Sequence, residues 1–132
     1  MSAAERGKIR LHGTVLVVED ELLIRLDLAD QLRSAGLTVV EASTGDEALT
    51  VLKANAAVDL VVSDIRMPGA ADGMELAAWL RKERPKIKIV LVSGYAATQD
   101  MTAIADVALG KPVEPSRFVH EVGRLLGADL PS

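Results

Sequence analysis

The stretch Val58-Asp-Leu-Val-Val-Ser-Asp64-Ile-Arg-Met-Pro-Gly69 constrains the fold more than any other. Leu60, Val61 and Val62 form a short continuous apolar run rich in β-branched residues, the pattern of a strand covered on both faces in a parallel sheet. Pairing has to stop soon after Asp64, because Pro68 and Gly69, followed by Ala, Ala, Asp72 and Gly73, cannot continue a central strand. In open parallel sheets the ligand crevice lies beyond the carboxyl ends of the strands, so an acid delivered there is displayed toward solvent and chemistry. On this stretch alone, a strand-end Asp that merely caps a turn is an equal reading.

The same design repeats along the chain. Thr14 to Val18 is a β-branched apolar run ending in Glu19, Asp20 and Glu21, after which Leu22 to Leu32 repeats apolar residues at helical spacing up to Gly36. Leu37 to Val40 reads as a second strand, and Ser43 or Thr44 with Asp46 and Glu47 opens a helix through Leu52. After the central strand, Asp72 is the N-cap of a helix carrying Met74, Leu76, Ala77 and Leu80 and ending before Pro85. Ile87 to Val92 is the fourth strand, followed by Ser93, Gly94, Tyr95 and a weak helical segment over Thr98 to Ile104. Val107 to Leu109 is the fifth strand, and Pro115 to Leu126 the last helix, with Phe118, Val122, Leu125 and Leu126 as its buried stripe. Five strands alternating with five helices predict a doubly wound α/β domain. The domain spans 13–127, between an N-terminal tail at 1–12 and a C-terminal tail at 128–132, with no internal repeat or linker.

Composition narrows the class. At 132 residues there is room for one core, which must be aliphatic because Trp79, Tyr95 and Phe118 are the only aromatic residues. Cysteine is absent, which excludes disulfides and thiolate metal sites. No apolar run approaches the roughly 18 residues of a membrane span, and Met1 to His12 lacks the apolar centre of a signal peptide. A cytoplasmic protein is the expectation. A net charge of −4 without a long basic run gives little support to direct nucleic-acid binding.

The chemistry lies in the polar residues at the strand ends. Strand one delivers Glu19 and Asp20, strand three Asp64, strand four Ser93 and strand five Lys111. Alone, Glu19 and Asp20 favour the positive start of a helix, Ser93-Gly94 is a turn and Lys111 is a solvated lysine. Together they put three carboxylates, a hydroxyl and an ammonium on one edge, which packing does not require. Converging carboxylates repel, so one takes up a proton or a hard cation binds among them. Mg²⁺ suits the second outcome, since it takes carboxylate and carbonyl oxygens and keeps several waters. Asp64 could then attack phosphorus in line, with Mg²⁺ and Lys111 neutralising the transferred oxygens.

Glu19-Asp20, Asp64 with Met67-Pro68 and Asp72-Gly73, Ser93-Gly94 and Lys111-Pro112 together resemble the signature of response regulator receiver domains of two-component signalling, over about residues 13 to 127. The resemblance implies a flavodoxin-like (βα)5 fold of strand order 2-1-3-4-5. It implies Asp64 as phosphoacceptor, Asp20 and Asp64 as direct Mg²⁺ ligands with the Arg66 backbone carbonyl, and Glu19 acting through water. Ser93 corresponds to the switch hydroxyl and Lys111 to the phosphate-binding lysine, with a cis Lys111-Pro112 bond. A histidine kinase or phosphotransfer protein would be the phosphodonor.

The chain departs from the family pattern at four places. Glu19 stands where Asp is commoner, and the Asp64-to-Gly73 loop is one residue longer than the commonest spacing. Ala108 occupies the place of the usual switch aromatic, three before the lysine. Tyr95, two after Ser93, resembles a substitute found in a subset of receivers; a surface tyrosine packing on a loop is the competing reading. The Ser93-to-Lys111 segment is about one helical turn short, so the fourth helix should be short or mobile.

Arg66, two after Asp64, projects toward the pocket mouth, either as a solvated side chain or tuning the approach of water or a phosphodonor. His12, His120 and Met67 read as structural, and Trp79 as a core or partly exposed anchor. The competing functions are a flavodoxin-like or aspartate-nucleophile phosphate-handling enzyme, and a receiver-like module that binds partners without phosphate. The acidic first turn argues against an anionic cofactor, and the intact set of Asp64, Ser93 and Lys111 against the phosphate-free module. No candidate output domain follows Leu126, so a stand-alone receiver and one drawn from a larger regulator or hybrid kinase both stay open. The downstream partner and oligomeric state stay open too.

Overall fold

A computed structural model describes residues 10–54, 57–66 and 72–128. Five strands, β1 (Thr14–Val18), β2 (Thr38–Ala42), β3 (Leu60–Asp64), β4 (Lys88–Ser93) and β5 (Val107–Gly110), alternate with five helices. The helices are α1 (Leu22–Ser34), α2 (Gly45–Ala54), α3 (Gly73–Glu83), α4 (Gln99–Ile104) and α5 (Pro115–Leu125). All strands pair in parallel in the order β2-β1-β3-β4-β5, the doubly wound, flavodoxin-like arrangement.

The continuous apolar runs divide by strand periodicity into two layers. Val15, Val17, Leu60, Val62, Val90, Val92 and Leu109 face α1 and α5, where Leu28, Leu32, Phe118 and Val122 meet them. Leu16, Val18, Val61, Ile89 and Leu91 face the other way, onto Leu52, Leu76, Leu80 and Met101 of α2, α3 and α4. A strand sandwiched in this way has no polar face, which is why its sequence does not alternate.

The helix starts follow their side chains. Thr44 Oγ1 accepts from the Glu47 N–H at 3.0 Å, and Glu47 reaches back to the Ser43 N–H at 2.9 Å and to the Ser43 hydroxyl. Asp72 accepts from the Glu75 N–H at 2.9 Å and Thr98 from the Met101 N–H at 3.2 Å. Before α5, Glu114 accepts from the Ser116 and Arg117 N–H groups ahead of Pro115. The fourth helix is short, at six residues.

Several boundaries differ from the sequence reading. β2 continues to Ala42 beyond its apolar run because Glu41 meets Arg25 of α1 at 3.2 Å and Arg33 at 3.1 Å, so a charged residue is held within an edge strand. β4 runs one residue further than the apolar run, so Ser93 is itself part of the strand and pairs with Gly110. Leu11, read as tail, is only 2% exposed and its N–H donates to the Ala35 carbonyl at 2.7 Å. Leu22 and Leu23 of α1 point to solvent, while Leu28, Ala29 and Leu32 carry its packing. Met67, Pro68 and Gly69, most of the N-terminal tail and the end of the C-terminal tail lie outside the described residues. Among the described residues, no helix is long and apolar enough to cross a membrane.

Phe118 is fully buried against the first layer. Phe118→Ala should therefore lower the unfolding free energy by about 3–5 kcal/mol. Leu23→Ala, at a site 80% exposed, should stay within about 0.5 kcal/mol of the parent. Urea denaturation of both variants checks the contrast.

Candidate functional site

The carboxyl ends of β1, β3, β4 and β5 bring Glu19, Asp20, Asp64, Ser93 and Lys111 to one edge of the sheet. Backbone pairing sets their placement: the Glu19 N–H donates to the Ala42 carbonyl at 3.0 Å, Asp64 stands opposite Val92, and the Lys111 N–H donates to the Ser93 carbonyl at 2.8 Å. The Lys111 side chain then reaches back across the sheet. Its Nζ lies 2.9 Å from Asp64 Oδ2 and 3.1 Å from Glu19 Oε2. The Lys111-Pro112 bond is cis.

Glu19 is 1% exposed, and a carboxylate that deep must be paired. Its two oxygens take the Lys111 ammonium and the Glu21 N–H, and Arg25 Nη1 holds its backbone carbonyl at 2.9 Å. Burial pushes the Glu19 carboxyl above its ordinary range, and the negative charge of Asp64 adds to this; the hydrogen bonds from Lys111 and Glu21 only partly offset them. Burial alone would lower Lys111, but its hydrogen bonds to Asp64 and Glu19 outweigh that and hold the ammonium above its ordinary value. Asp20 is exposed and has no hydrogen-bond or ion-pair partner among the described residues. Glu19, Asp20 and Asp64 each offer one oxygen, all within 4.8 Å of one another.

That donor set fits a hard divalent cation. One ammonium against three carboxylates leaves a surplus of two negative charges. Two oxygens bound to one Mg²⁺ are at most about 4.2 Å apart, given ligand distances near 2.1 Å. The carboxylates therefore need to close only slightly, or one must act through water.

Ser93 is 5% exposed, and its Oγ accepts the Tyr95 N–H at 3.1 Å. Tyr95 is 66% exposed, and its ring carries the Arg66 guanidinium 4.6 Å from the centroid. Arg66 also donates its N–H to Asp64 Oδ1 at 3.3 Å. Neither the Arg66–Tyr95 stack, nor the Arg25 clamp, nor the direct Glu19–Lys111 contact was legible from the chain; a Glu in place of the commoner Asp, one methylene longer, was the only signal for the last. Ala108 is partly buried against the second layer. Trp79 packs partly on the same layer with Arg84 5.4 Å from its ring centroid, and His12 and His120 are exposed, outside the cluster.

Gly73 closes the loop after β3. Its N–H donates to the Ile65 carbonyl at 2.9 Å, and a Cβ there would lie 2.1 Å from the Asp64 carbonyl oxygen and 2.8 Å from Ile65 Cα. The helix start is thus pressed against the backbone that presents Asp64.

The fold and the site define an open α/β domain with a lysine-bridged acidic pocket at its strand ends. The sequence profile of the response regulator receiver domain matches residues 15–123, and the chain belongs to that family of signalling modules. It is 49% identical over 85 residues to the sensor kinase CckA of Brucella abortus, covering 64% of this chain and 9% of the kinase. It is 34% identical over 128 residues to the response regulator protein FleR of Pseudomonas aeruginosa, covering 90% of this chain and 27% of that protein. The crystal structure of the response regulator protein TrrA of Thermotoga maritima, in complex with Mg²⁺-BeF, superposes with a TM-score of 0.78 at 32% identity, covering 86% of this chain and 98% of that one. The chain therefore spans a small part of the two longer relatives and nearly all of the third.

Two measurements test the site's energetics. Gly73→Ala should cost about 1–3 kcal/mol in urea denaturation, as overpacking against backbone does. For Glu19, the folded state holds the proton more tightly than the unfolded chain does. The associated stability is therefore present below the ordinary glutamate value and lost as pH rises through the raised one. Glu19→Gln, which does not ionise, should gain on the parent as pH rises through that window in the absence of divalent cations. A relative loss over the same window would contradict the assignment.

Proposed function

We propose that Asp64 accepts a phosphoryl group from a histidine kinase, a phosphotransfer protein or a small phosphodonor, and that the covalent change is passed to a protein partner. The observation that carries this reading is the ammonium of Lys111 lying between Asp64 and Glu19, with the Asp20 carboxylate on the same edge. A carboxylate oxygen of Asp64 attacks phosphorus in line, the bond from phosphorus to the donor breaks, and the donor departs with its electron pair. Lys111 counters charge on the transferred oxygens and is held in place from the Glu19 side. Mg²⁺ would be held by Asp20, Asp64 and the Arg66 carbonyl, with Glu19 through water. Bound there, it supplies positive charge that lets an anionic donor approach three acids. The structure of TrrA with Mg²⁺-BeF supports that choice of ion by similarity.

Ser93 uses its oxygen to accept the Tyr95 N–H, which leaves its own proton for a phosphoryl oxygen. Drawing that hydroxyl toward the new group pulls on Tyr95, which makes the Ser93–Tyr95 loop the surface that changes. The relatives named as a sensor kinase and a response regulator favour a two-component partner on the donor side.

Intact mass measured after incubation with a small phosphodonor and Mg²⁺ should rise by one phosphoryl group, and Asp64→Asn should abolish the gain. A gain that survives Asp64→Asn would remove Asp64 as acceptor.

A further inference from the structure

Asp20 has no side-chain partner among the described residues, so its backbone alone places its carboxylate beside Asp64. That backbone enters α1 without the device used at the other helices. Thr44, Asp72, Thr98 and Glu114 each accept an N–H of the helix they open, whereas the Glu21 side chain, ahead of α1, makes no capping bond. Arg25 supplies a tie from within the helix. Its N–H donates to the Glu21 carbonyl at 2.9 Å, and its Nη1 donates to the Glu19 carbonyl at 2.9 Å. The Glu19 carbonyl belongs to the planar peptide unit that ends at Asp20 Cα, so one hydrogen bond orients the backbone of both acids. From the other side, the Glu19 N–H is held by the Ala42 carbonyl at 3.0 Å. The guanidinium is itself braced. Its Nε donates to Glu41 Oε1 at 3.2 Å, Glu41 Oε2 takes Arg33 Nη1 at 3.1 Å, and the Arg25 side chain is only 16% exposed.

We propose that Arg25 is a positioning residue for the divalent cation: it holds the Glu19–Asp20 turn in the conformation in which those two carboxylates and Asp64 can share one ion. The inference rests on the reading of this edge as the Mg²⁺ site that serves Asp64. Arg25 touches neither the ion's place nor the phosphoryl group and acts only through the Glu19–Asp20 peptide. Its charge works against its position, since a cation beside three acids weakens their pull on another cation. Glu41 offsets part of that charge, and what Arg25 contributes is direction. Position and charge therefore predict opposite signs when the side chain is removed. Lysine at this place would keep the charge but offer a single donor atom, where the guanidinium uses Nε on Glu41 and Nη1 on the Glu19 carbonyl.

The test is calorimetric titration with Mg²⁺ of the parent, Arg25→Ala and Arg25→Lys, each first shown to be folded by urea denaturation. Both variants should bind Mg²⁺ about tenfold more weakly, the lower end of what is lost with a group that holds a metal ligand from behind. Arg25→Lys keeps the stem and the charge and carries the test by itself if Arg25→Ala does not fold. Intact mass after incubation with a small phosphodonor at limiting Mg²⁺ should show a smaller phosphoryl gain in Arg25→Lys, and about tenfold more Mg²⁺ should restore it. An Arg25→Lys variant that binds Mg²⁺ like the parent, or an Arg25→Ala variant that binds it more tightly, would overturn the proposal and leave the Mg²⁺ site standing. A phosphoryl gain that added Mg²⁺ does not restore would overturn it as well. A parent that binds no Mg²⁺ would remove the Mg²⁺ reading together with this inference, whatever Asp64→Asn does to the phosphoryl gain.

Discussion

One ammonium shared by two acids from different strands is the interaction on which the rest of the structure depends. Lys111 leaves β5, crosses β4 and reaches both Asp64 of β3 and Glu19 of β1. A side chain can bridge three strand ends only if those ends are level, and parallel pairing levels them: Val18 opposite Ser63, Asp64 opposite Val92, Ser93 opposite Gly110. The bridge is a compromise. Glu19 is too buried to stand unpaired, yet pairing it with Lys111 still leaves its carboxyl raised and the edge short of positive charge. The two aliphatic layers below offset that cost, and the residual negative charge is what a divalent cation would relieve.

Much of this was legible in the chain because the fold is written in short-range patterns. The runs at Val15, Leu60 and Ile89 are apolar without alternation, which only a strand covered on both faces requires, and the polar residues that end them mark the ligand edge. Asp72 and Thr44 announce their helices by caps a few residues long. Features that depend on distant partners were not legible. Glu41 extends β2 because Arg25 and Arg33 meet it, and nothing local to Glu41 says so. Leu11 looks like tail until the carbonyl of Ala35 is brought beside it. Arg66 and Tyr95 are separated by a helix and a strand, and their stack exists only because β3 and β4 are neighbours.

On the proposed reading a change at Asp64 is passed to a partner, and the described residues leave one inexpensive route. Ala108 packs against the second layer as a small side chain, so β5 offers no ring whose rotation could carry a signal. Lys111 is committed to two acids and Glu19 is buried, which makes the inner wall stiff. The outer wall is different. The Ser93–Tyr95 loop is held by one neutral hydrogen bond and one exposed cation–π contact, together about 1–2.5 kcal/mol, and it leads into α4, a six-residue helix with Met101 as its buried residue. A charge-assisted hydrogen bond from Ser93 to a phosphoryl oxygen is worth about 1.5–3 kcal/mol, the same size as both together. On the proposed reading, the covalent change on Asp64 can therefore rearrange this loop without touching either aliphatic layer. Its reach is bounded by the upper figure at no more than roughly two orders of magnitude in population, the range of a graded bias on partner binding rather than of an all-or-none refolding.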